Sequence, residues 1–130
     1  MHQRKVGQLA PAGSTGTATH ASVTTDADLD SLSLEFEITA VGATPTISWL
    51  FQGSNDPVDV TDANSDWHSL EVLPDDAATE LATVQTKTAV GVYGASVDLK
   101  RRPVTKVRLV TSANTNVTYE AEAFGYVDDE

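Results

Sequence analysis

Between positions 31 and 41 the chain alternates without interruption, and this run restricts the possible folds more than any other feature. Leu32, Leu34, Phe36, Ile38 and Ala40 fall on one side of an extended backbone, and Ser33, Glu35, Glu37 and Thr39 on the other. A period of two belongs to a half-buried β-strand with one wet face; a helix would scatter the same apolar residues around its circumference. The stretch 46–52 repeats the pattern with larger side chains. Ile47, Trp49 and Phe51 share a face opposite Ser48, Leu50 and Gln52. Gly53-Ser54-Asn55-Asp56-Pro57 then ends the strand with turn-forming residues. Trp67 opens a further strand over 67–72, so both tryptophans are expected to anchor the core beside one strand pair.

Three more alternations follow. In 83–93, Val84, Thr86, Thr88, Val90 and Val92 share a face. In 104–111, Val107 and Leu109 face away from Arg108 and Val110. In 117–127, Val117, Tyr119, Ala121 and Ala123 oppose Thr118, Glu120, Glu122 and Phe124. Turn-forming residues at 42–45 and 112–116 predict a hairpin at each place. Residues 74–81 combine Pro, early acids, Ala and Leu, which suits one or two helical turns or a loop. A first strand falls within 17–25. Six or seven strands at short spacing with no βαβ rhythm predict an all-β fold, an antiparallel β-sandwich or jelly-roll-like single domain over 21–130. Residues 1–20, rich in Gly, Ala, Ser and Thr, read as a flexible, extended N-terminal arm. The Asp128-Asp129-Glu130 tail reads as frayed.

Composition narrows the function classes. The 130 residues include no cysteine, so disulfides and thiol chemistry are excluded. A formal charge of −11 sets the chain against the phosphate backbone, and no nucleic-acid partner is expected. No apolar run follows Arg4 and Lys5, so no signal peptide is expected, and no window has the length of a membrane helix.

Few residues suggest site chemistry. Asp26, Asp28, Asp30 and Glu37 have the spacing of a calcium-binding helix–loop–helix, but Ser31 stands where that loop requires glycine, and Glu37 belongs to a strand. Asp56, Asp59, Asp62 and Asp66 form an acidic loop that reads as a hydrated surface, with a looser cation site as the other possibility. His2, His20 and His68 have no paired metal spacing. No Gly-x-Ser-x-Gly elbow supports a nucleophile. The expectation is no catalytic residues, no cofactor and no metal. All the basic residues except Lys87 lie at 4–5 or 100–108, which marks Arg4, Lys5, Lys100, Arg101 and Arg102 as candidate partner-interface residues. Two readings stand for them: docking onto acidic surfaces of neighbouring subunits, or pairing with the protein's own carboxylates.

The words Gln52-Gly53-Ser54-Asn55-Asp56, Trp67-His68-Ser69-Leu70 and Val107-Arg108-Leu109-Val110 resemble a pattern in β-sandwich virion proteins of tailed viruses. They also look like discoidin-type carbohydrate- and lipid-binding modules, although the paired cysteines of that family are missing and an acidic insertion replaces its short glycine turn. The viral resemblance implies a non-enzymatic capsid decoration (cement) protein in the virion, assembled in the host cytoplasm. Its partners would be the major capsid protein or other virion subunits, and it would be a homo-oligomer, for preference a trimer, with no nucleic-acid or membrane partner. A tail or baseplate protein and a glycan-binding module are the alternatives. The acidic balance is similar to that of proteins from viruses of salt-loving archaea.

Overall fold

The computed structural model describes residues 2–25, 28–77, 80–101 and 103–127, His2 by its backbone alone. Among the described residues nine strands form one antiparallel sheet: β1 (His2–Thr15), β2 (Ala18–Thr19), β3 (Val23–Thr24), β4 (Ser31–Ser54), β5 (His68–Ser69), β6 (Leu73–Pro74), β7 (Gln85–Lys87), β8 (Gly91–Asp98) and β9 (Lys106–Val127). The 128–130 tail lies outside the described residues.

Two strands dominate. β4 and β9 run antiparallel from Ser31 opposite Tyr126 to Ser54 opposite Lys106. The hairpins expected at 42–45 and 112–116 are therefore absent. Val41 pairs with Val117 and Thr46 with Thr115, so the stretch 42–45 of β4 faces Asn116 alone on β9. Thr44 and Asn116 adopt positive φ (44° and 56°), and the Asn116 amide donates to Ala43 O at 2.7 Å. Unequal lengths on paired strands bend the ribbon. The turn chemistry here bends two strands together instead of reversing either one.

Beyond that corner the ribbon lies back over itself. Phe36, before the bend, stacks on Trp49, after it, with ring centroids 3.9 Å apart and planes 5° from parallel; Phe36 also stacks on Tyr119 at 5.2 Å. The result is a sandwich-like single domain. Layer A holds β1, the 117–127 half of β9, the 31–41 half of β4, β8 and β6. Layer B holds β2 and β3, the 106–115 half of β9, the 46–54 half of β4, and β5 and β7. The expected inward residues close the core: Leu32, Leu34, Phe36, Ile38, Ile47, Trp49, Phe51, Val107, Leu109, Tyr119, Ala121 and Ala123 are all essentially inaccessible. Each large apolar side chain buried in this way stabilises the fold by roughly 1.5–3 kcal/mol.

Several expectations need correction. The segment read as a flexible arm over 1–20 is, from His2 onward, built into the sheet and does not form a free arm. β1 pairs along β9 from His2 opposite Val127 to Thr15 opposite Thr118, and Leu9 and Ala10 are buried. The outer edge of β9 supplies unpaired backbone groups, so a segment without apolar alternation is still held by ladder hydrogen bonds. Register shifts after Lys5, Gln8 and Ala10 absorb the missing periodicity. Gly7 lets the layers close, because a Cβ there would sit 2.7 Å from Val23 Cγ1. The strand expected within 17–25 is two short ones, β2 and β3. The 83–93 run divides between layers: β7 pairs with the far half of β4 and β8 with the near half, leaving Val84, Val90 and Val92 exposed. Leu73–Pro74 is a strand, and a turn follows at Asp75 and Asp76; positions 78 and 79 of the possible helix lie outside the described residues. Trp67 is half-buried at the surface, while Leu70 and Val72 take the core places of its segment.

Candidate interaction surfaces

The register gathers Arg4, Lys5, Lys100 and Arg101 at one end of layer A. Arg4 lies opposite Gly125, Gly125 opposite Leu32, and Ser31 opposite Asp98, from which the chain turns through Lys100 and Arg101. β1 and β8 are separated by β9 and β4, a distance of roughly 14 Å at ordinary strand spacing. Three of the cations meet carboxylates of this chain. Arg4 forks onto Asp28 with both Nη atoms (3.2 and 3.0 Å), Lys5 lies 3.2 Å from Glu122, and Lys100 lies 3.7 Å from Asp30. Exposed pairs of this kind contribute only about 0–1 kcal/mol each, so they leave the charges available to a partner. Arg101 is exposed and borders a groove of about 570 Å³ with Leu73, Leu81 and Val97. Arg102 lies outside the described residues.

These pairs also account for two members of the calcium-like spacing, Asp28 and Asp30. Asp26 lies outside the described residues, and Glu37 stands on β4. Among the described residues no three His, Cys, Asp or Glu side chains converge on a point that could hold a metal ion.

The outer face of layer A is acidic. Glu35 stands directly opposite Glu122 and Glu37 opposite Glu120 across the β4–β9 ladder, with exposed Val92 beside Glu37 on β8. Like charges facing one another on adjacent strands destabilise a sheet. Only Glu122 of the four has an ion pair among the described residues, with Lys5.

The outer face of layer B differs. Leu50 pairs with Val110 and Gln52 with Arg108, and Ser48 meets Thr86 through their hydroxyls at 2.8 Å. Trp67 comes over this face from the acidic loop, its indole N–H donating to Asp62 O at 2.9 Å. The Arg108 guanidinium stacks 4.0 Å from the Trp67 ring centroid, and its Nε donates to Gln52 Oε1 at 2.8 Å. Beneath them Lys106 is buried. Its ammonium donates to Val60 O at 2.7 Å and to Ser65 Oγ, 5.6 Å from the same ring. Asp62 accepts from the Ser22 amide (3.0 Å) and hydroxyl (2.6 Å); these bonds, with Lys106 and Arg108 nearby, hold its carboxyl below the usual range. The acidic loop is thus exposed to water at Asp59 and Asp66, as expected, and tied to layer B through Asp62.

Sequence reasoning missed this cluster because it placed Trp67 in the core. A signal was present: the 104–111 alternation already puts Arg108 on the outer face, and a surface arginine favours an aromatic partner. The histidines stand apart. His68 is exposed on β5. His20 Nε2 lies 2.8 Å from the hydroxyl of buried Tyr119, which is 3.1 Å from Thr111 Oγ1. Burial lowers the pKa of His20 and raises that of Tyr119.

No family model matches the sequence, and no curated protein matches it. A solved structure, that of the SPBc2 prophage-derived protein YomS, has a similar fold. The likeness has a TM-score of 0.66 and spans 96% of this chain and 95% of that one at 11% identity. It establishes a common fold over essentially the whole of both chains.

Proposed function

We propose that the protein is a non-enzymatic virion structural protein of a tailed virus, a capsid decoration (cement) protein that binds the head surface and stabilises subunit contacts. The observation that carries this reading is the end-to-end likeness of its fold to a prophage-derived protein. The surface is consistent with it: the outer face of layer A carries opposed glutamates, that of layer B carries Arg108 under Trp67, and the bulky aromatics Phe36, Trp49 and Tyr119 are committed to the core. The partners are the major capsid protein or other virion subunits, and the working form is a homo-oligomer, for preference a trimer. Because β1 is built into the sheet, docking falls to the sheet faces and the charged end of layer A instead of to a free arm.

The test is a mass-spectrometric census of purified particles, with separated heads and tails, from the virus or prophage that encodes the chain. Many copies per head support decoration. Recovery with tails alone replaces it with the baseplate reading, and absence from both overturns the virion assignment.

A further inference from the structure

The two outer faces complement each other, and one copy cannot bring them together because they point away from a shared core. Layer A presents Glu35, Glu37, Glu120 and Glu122 in two like-charge pairs. Layer B presents Arg108 as the one charged residue within 48–52 and 108–112, above a patch of Leu50, Val110, Ser48 and Thr86. That guanidinium is held in place. Trp67 stacks on its plane and Gln52 takes its Nε, while among the described residues Nη1 and Nη2 have no hydrogen-bond partner. A planar fork with two unused donor edges suits a carboxylate pair, and its orientation is already fixed before any partner arrives.

We propose that the outer face of layer B docks on the outer face of layer A of a second copy, with Arg108 inserted between the Glu35–Glu122 and Glu37–Glu120 pairs. The contact joins two different surfaces, so each copy offers one donor and one acceptor face. Such a head-to-tail contact closes into a ring where the rotation permits, and otherwise grows into a filament. The aliphatic patch of Leu50 and Val110 is covered in the contact, next to Val92 of the neighbour. This goes beyond the virion reading, since self-association in solution requires no particle.

Sedimentation of purified protein at about 0.15 M salt, where the mutual repulsion of acidic copies is screened beyond roughly 8 Å, provides the test. Glu37→Lys/Glu120→Lys disables the layer A face alone, and Arg108→Ala disables the layer B face alone. Each variant should self-associate at least about 30-fold more weakly than the parent. Mixed in equal amounts they should form a one-to-one dimer, because each retains the face that the other lacks. If Arg108→Ala does not fold, Val110→Asp, on the same face but outside the Trp67 stack, takes its place. A parent protein that stays monomeric up to about 1 mM, or a mixture that stays monomeric, overturns the proposal. Absence of the parent protein from purified particles, with the mixed dimer intact, would count against the virion reading alone.

Discussion

The two halves of the β4–β9 ribbon make the same inner face and opposite outer ones. Before the bend, Leu32 to Ile38 alternate with serine and glutamate; after it, Ile47 to Phe51 alternate with serine, leucine and glutamine. Inside, both halves supply large apolar residues that interlock through Phe36 and Trp49. Outside, one half carries opposed glutamates and the other a stacked arginine. The difference teaches that the inward pattern sets the fold while the outward pattern is free to set contacts. Substitutions should accordingly divide into those that move stability and those that move association.

The largest expected effect comes from the segment that has no such pattern at all. Removing residues 1–20 deletes β1 and β2, buried Leu9 and Ala10, and the ladder along β9. The truncated chain should lose its cooperative melt, and native-like amide dispersion in its spectrum would show that β1 is dispensable. Next come the two tryptophans. Trp49→Ala should destabilise by about 3–5 kcal/mol. Trp67→Ala, which removes the Arg108 and Lys106 cation–π contacts and the indole bond to Asp62 at the surface, should cost about 1–2 kcal/mol. Trp49→Phe should cost less than the alanine change, since the indole N–H of Trp49 is buried with no hydrogen-bond partner among the described residues. Equal denaturation midpoints for Trp49→Ala and Trp67→Ala would erase the distinction between inside and outside.

A smaller effect concerns pH. Burial lowers the pKa of His20 in the folded state, so the unfolded chain binds a proton first as the pH falls. Stability linked to this group is complete above the unfolded value of about 6.5 and is lost as pH drops from there toward the folded pKa. Melting curves between pH 7.5 and 5 should show a decline that His20→Gln reduces; the same slope in both proteins would remove His20 from the account. The smallest effect is on the outer face of layer A. Glu37→Gln relieves a like-charge pair and should stabilise the monomer by about 0.2–1 kcal/mol, read from urea midpoints. A loss of stability would mean that the glutamates support the sheet.

Much of the inner architecture was legible because burial imposes a period of two. Leu32 to Ile38, Ile47 to Phe51, Val107 to Leu109 and Val117 to Ala123 all face where alternation puts them. The bend was not legible, since Gly42-Ala43-Thr44-Pro45 has the chemistry of a chain reversal, and only the pairing partner decides between a reversal and a bulge. β1 was hidden because ladder hydrogen bonds leave no trace in side-chain identity. Val84, Val90 and Val92 misled for the opposite reason: their alternation is real but crosses from one layer to the other. At the surface, five cations could be named from clustering, and their carboxylate partners could not. Asp28 and Glu122 lie 24 and 117 positions from Arg4 and Lys5, and only the register joins them.

The division of labour between inner and outer faces is tested most directly by measuring melting temperature and sedimentation on two variants side by side. Phe36→Leu changes the inner stack and Glu37→Lys changes the outer face one residue further along the same strand. Melting is recorded at a dilution where the parent is monomeric, so that association does not contribute to it. The account predicts that Phe36→Leu melts several degrees lower, reflecting a loss of about 2 kcal/mol, and associates like the parent. Glu37→Lys, which turns a like-charge pair into an opposite-charge one, should melt at the parent's temperature or a few degrees above it and associate more weakly. A Glu37→Lys protein that melts well below the parent and sediments as the parent does would contradict it.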